Sequence, residues 1–95
     1  MITHIVLFKL KDGSPEAVAQ TVQVLKDMEG QIEVLKSIEV GTDIVRSERS
    51  YDIALVTTFE SLEALGAYQV HPVHKKVIDH MALVRESSVA VDYES

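Results

Sequence analysis

Three of the four histidines in this 95-residue chain fall in one stretch, AYQVHPVHKKVIDH (residues 67–80), just behind Tyr68. Pro72 fits the first position of a helix, which places His71 at the cap and His74 in the first turn. Three residues apart, the two rings can lie on one helix face. The start of a helix offers unpaired N–H groups and a positive dipole end, which favours a neutral imidazole able to act as a base. A tyrosine hydroxyl and an imidazole facing one cavity can polarise a carbonyl and move a proton. Tyr68 and His74 are therefore the candidate catalytic pair. The same residues admit a plainer reading, because a His-Pro pair also breaks and restarts a helix and leaves His74 in solvent. His80, six positions after His74, is expected on another face and exposed.

Other chemistries find less support. A zinc site needs three or more ligands. His71 and His74 supply two, and Asp79 or Glu63 would serve only if the fold brought them in, so no metal site is assigned. The absence of cysteine excludes disulfides and thiolate catalysis. Gly13, Gly30, Gly41 and Gly66 are too dispersed to cradle a phosphate, and no cofactor is implied. His4, alone at the start of a strand, reads as a structural or rim residue.

The elements that must carry these groups are legible. ITHIVLFKL (2–10) reads as a strand, with His4, Val6, Phe8 and Leu10 on one face and Ile5, Leu7 and Lys9 on the other. Ser14, Pro15 and Glu16 form a helix start, and Val18, Val22, Leu25 and Met28 or Ile32 make its buried stripe. Gly30 marks the expected helix end. Strands follow over 34–44 and 51–60, separated by the charged turn VRSERS (45–50). Ser61 caps a short helix, Pro72 opens another that runs to about residue 83, and SSVAVDYE (87–94) is the last strand. The order β-α-β-β-α-β, with its second helical region in two pieces, is that of an α+β ferredoxin-like fold with a four-stranded antiparallel sheet.

One domain over residues 1–95 is all this length allows. Net charge is −6 with the basic residues scattered, which disfavours nucleic acid and anionic membrane surfaces as partners. The N-terminus lacks a signal-peptide pattern and no apolar run approaches a membrane span, so a cytoplasmic protein is expected. The first and third strands are apolar on both faces, yet helices cover only one face of such a sheet. A second copy of the sheet is the simplest cover, so an isologous homodimer is expected.

Together HIVLFKLKDG, VGTDIV, YDIALVTTFES, YQVHPVH and VDYE resemble the stress-responsive dimeric α/β-barrel (Dabb) family along nearly the whole chain. The resemblance implies a ferredoxin-like protomer whose sheet joins a second to form a barrel. It is similar to a plant branch of cofactor-free polyketide cyclases in its Y-x-x-H-P-x-H motif, where a tyrosine and a histidine close a ring by aldol condensation. That implies acid–base roles for Tyr68 and His74, a pocket-lining place for His4, and a supporting one for His71. Ile53 stands where that branch has a histidine, and the first helix lacks its tyrosine, so the implied pocket is more apolar. Some members bind magnesium through main-chain carbonyls near residues 29–35 here, a feature that side-chain identity does not test. Three readings follow. The first is a homodimer that binds a small apolar or carbonyl ligand. The second is a cofactor-independent enzyme, cyclase-like or a small monooxygenase. The third is a purely structural oligomer.

Overall fold

The computed structural model describes residues 1–95. Its elements are β1 (Ile2–Leu10), α1 (Pro15–Lys26), β2 (Ser37–Thr42), β3 (Ile53–Phe59), α2 (Leu62–Gln69), α3 (Pro72–Val84) and β4 (Arg85–Glu94). The strands form one antiparallel sheet in the order β2-β3-β1-β4, the ferredoxin-like arrangement, with β1 and β3 in the middle. Alternation along β1 and β3 sends Ile2, Phe8, Leu10, Ile53, Leu55 and Phe59 into a core shared with the helices.

Local chemistry fixes where the helices start. The Ser14 hydroxyl accepts from the Ala17 N–H at 3.3 Å, and the Ser61 hydroxyl accepts from the Ala64 N–H at 3.1 Å. Pro15 and Pro72 occupy the first turns of α1 and α3, where no amide donor is missed. Val18, Thr21 and Leu25 face inward from α1, Leu65 and Tyr68 from α2, and Val77 and Met81 from α3. Leu25, Met28, Phe59 and Tyr68 are fully buried. Burying each large apolar side chain stabilises the fold by about 1.5–3 kcal/mol.

The element boundaries depart from the sequence expectation in four places. Helix α1 ends at Lys26, not at Gly30, and the chain continues through turns in which Met28 and Gln31 donate to the Leu25 and Met28 carbonyls. Gly30, at φ 78°, serves one of those turns. Met28 and Ile32 thus reach the core from outside the helix. Strand β2 is shortened at both ends to Ser37–Thr42, with Val34 and Leu35 packed on the core and not in the ladder. Strand β3 is trimmed at both ends to Ile53–Phe59. Strand β4 begins two residues early, where Arg85 pairs with Leu10 across a register shift at Lys9/Leu10.

Asp52 ties this end of the sheet together. It is buried, its Oδ2 accepts from the Leu10 N–H at 2.7 Å, and its Oδ1 lies 2.9 Å from Arg46 Nη2. On the opposite face of the sheet, Ile5 and Leu7 of β1 register with Val56 and Ala54 of β3 and with Val91 and Val89 of β4. Val89, Val91 and Tyr93 there are about half exposed, at 47%, 54% and 48%.

Candidate functional site

A cavity of about 190 Å³ opens between α3 and the helix-covered face of the sheet. His4, Val6 and Phe8 of β1, Leu55 of β3 and Ser88 of β4 line it from the sheet. Leu25, Tyr68, His74, Val77, Ile78, Met81 and Arg85 line it from the helix side. Alternation along β1 puts His4 on the same face as Val6 and Phe8. The short α2 and the restart at Pro72 bring Tyr68 and His74 to the same wall. The lining is mostly hydrophobic, with polar groups at a few points, the usual composition of a small-molecule site.

Three rings meet at one end. Tyr68 stacks against His74 with centroids 4.1 Å apart and planes inclined by 34°. Its other contacts are Phe59 at 4.8 Å and, edge-on, His4 at 6.4 Å. The hydroxyl of Tyr68 donates to Met28 Sδ at 3.8 Å, a weak acceptor. Desolvation raises the phenol pKa far above its usual range, so Tyr68 stays protonated and keeps a proton to donate.

Burial lowers the His74 pKa below its ordinary value; the Gln69 carbonyl opposes this, and the charges of His4 and His71 add to it. His74 Nδ1 lies 3.3 Å from the Gln69 carbonyl, which can only accept, so Nδ1 carries the proton. Nε2 is left with a free lone pair. His4 Nδ1 bonds Asp92 Oδ1 on the neighbouring strand, which fixes the His4 ring.

The structure brings His4, Tyr68 and His74 to one cavity. It does not bring Ile53 or His71 there. Ile53 is buried beside a separate depression lined by Leu7, Gly41 and Tyr51. His71 is the N-cap of α3, its Nδ1 accepting from the Val73 N–H at 3.1 Å. His80 is not exposed as expected: it is half-buried, and its Nε2 is enclosed without a partner. The reason is spacing, since His80 falls three after Val77, four before Val84 and seven after Val73, on the packed stripe of α3. No three His, Cys, Asp or Glu side chains converge as a metal site.

Asp92, Arg85 and Ser88 were not singled out from sequence, and Met28 was read only as a core residue. The pairing of first and last strands would have found Asp92 once the register was known. The others carry no local signal.

A family model, the stress responsive A/B barrel domain, matches residues 2–95. The chain belongs to this family. An uncharacterized protein of Streptomyces coelicolor is 37% identical, with 99% of each chain covered. A dimeric ferredoxin-like protein of unknown function from Thermobifida fusca is 30% identical with a TM-score of 0.87, covering 99% of this chain and 90% of that one. A dimeric ferredoxin-like protein of unknown function from Bacteroides fragilis is 33% identical with a TM-score of 0.82, covering 99% and 95%. No helix is long and apolar enough to cross a membrane.

Proposed function

We propose that this A/B barrel domain works as a homodimer, joined through the open sheet face, that holds a small, largely apolar carbonyl ligand in the His4–Tyr68–His74 cavity. The observation that carries the ligand reading is the cavity itself: an apolar space with a neutral imidazole at one end. Its volume is about that of six water molecules in the liquid, which suits one ring or one short alkyl chain. The dimer reading is supported by the exposed Val89, Val91 and Tyr93 on the face without helices and by the dimeric relatives. A cytoplasmic setting belongs to the same proposal.

Thermal melts of the protein with cyclohexanone test the ligand reading. A melting temperature that climbs with ligand concentration supports it, because only the folded state has the cavity. Val6→Phe fills the cavity from the sheet and should remove the shift. A melting temperature unmoved by cyclohexanone in the unmodified protein counts against the reading.

A second reading has its own observation. His74 Nε2 carries a free lone pair on a ring oriented by the Gln69 carbonyl. Such a group can remove a proton from the carbon next to a carbonyl and return it, without any cofactor. Deuterium exchange into the α-carbons of cyclohexanone in heavy water, followed by proton NMR, is the test. Catalysed exchange that disappears in His74→Ala makes the protein an acid–base catalyst. Exchange at the solvent rate leaves it a binding protein.

A further inference from the structure

The cavity has a second, charged end. His74 lies in the first turn of α3 and Arg85 caps the last, about 16 Å further along the axis. Between them Val77, Ile78 and Met81 form an apolar wall facing Val6 and Phe8. The Arg85 guanidinium turns along β4, where Nη1 donates to Ser88 Oγ at 3.3 Å. Both side chains line the cavity.

No carboxylate answers this cation. Arg85 takes part in none of the protein's five ion pairs, and neither Asp nor Glu lines the cavity. In a chain of net charge −6, the one permanently charged group of the cavity is positive. A guanidinium presents a planar fork of donors that matches a carboxylate with two parallel hydrogen bonds. The Ser88 hydroxyl beside it adds a further donor.

We infer that the cavity selects a monocarboxylate with a slender apolar body, its carboxylate on Arg85 and Ser88 and its far end toward His74. This rests on the ligand-binding reading above and gives that ligand its charge and shape. Arg85 is then a specificity-determining residue, set apart from the imidazole by the length of the apolar wall.

Octanoate and octanamide share shape and apolar body and differ in charge. Calorimetric titration of the full-length protein at low salt should show octanoate binding about tenfold tighter, the effect of one charge-assisted contact. Arg85→Gln should abolish that preference by weakening octanoate far more than octanamide; Arg85→Lys should restore part of it. A salt titration of the unmodified protein gives an independent readout. The preference should shrink as salt rises, because Arg85 is solvent-accessible. Equal binding of the two compounds, or a preference unmoved by salt, overturns the selection of carboxylates and leaves the ligand-binding reading standing. Binding of neither compound overturns this inference, and the cyclohexanone melts decide the ligand-binding reading separately.

Discussion

His74 and Tyr68 touch, yet burial acts on them in opposite directions. It lowers the pKa of the imidazole and raises that of the phenol, so both are held neutral. For His74 the consequence for stability has a definite sign. The unfolded chain takes up a proton near pH 6.5, while the folded chain resists it to lower pH. Stability is therefore full above about pH 6.5 and is lost as pH falls toward the folded value. The His74→Asn variant should lose less stability than the unmodified protein between about pH 7.5 and about pH 5.5, read as the shift in urea midpoint. For Tyr68 the ring and the hydroxyl separate cleanly. Tyr68→Phe removes a donor whose one partner is a sulfur, and should change stability by less than about 1 kcal/mol. Tyr68→Ala empties the space between Phe59 and His74 and should cost about 3–5 kcal/mol. If Tyr68→Phe weakens cyclohexanone binding without lowering stability, the hydroxyl leaves Met28 to meet the ligand.

Two short devices set the elements around the cavity. The first is the His71 cap, which supplies an acceptor to α3 where the Pro72 restart leaves amides unpaired. His71→Ala should cost about 0.5–2 kcal/mol in a denaturant titration and leave ligand binding intact, since His71 does not line the cavity. The second is Asp52, which holds the Leu10 N–H and Arg46 where β1 ends and the loop before β3 closes. Asp52→Ala strands a buried amide and should cost about 1–3 kcal/mol. It should also speed hydrogen exchange at Leu10, which separates loss of this clamp from general destabilisation.

At the scale of the molecule the sheet has two apolar faces and one set of helices. The face carrying Ile5, Leu7, Val89 and Val91 is left to water in the single chain, with Val91 54% exposed. If the dimer forms through this face, as proposed, an aspartate there would be forced into an apolar interface. Val91→Asp should shift a sizing column or sedimentation profile at micromolar concentration from dimer to monomer. An unmodified protein that already runs as a monomer under those conditions contradicts assembly through this face. The core around Leu25, Phe59 and Tyr68 lies on the other side of the sheet.

The amino-acid sequence alone carried the order of elements, the three helix starts and the two-faced central strands. Each is written in local chemistry: Ser14 and Ser61 as caps, Pro15 and Pro72 in first turns, and alternation along residues 2–10 and 53–59. It also marked the stretch that places Tyr68 and His74 together, and the family to which the chain belongs. It misjudged the end of α1, because the apolar stripe continues through Met28 and Ile32 after the helix hydrogen bonds stop. It misjudged His80 because that residue was measured against His74 and not against the Val77 stripe. Pairing across elements was beyond it. The bond from His4 to Asp92 depends on strand register, the Tyr68 hydroxyl meets Met28 only because the turns after α1 fold back, and Arg85 reaches the cavity only because β4 starts directly at the end of α3. Periodicity determines which face a side chain takes, whereas the neighbour it finds there is decided by contacts between residues distant in the chain.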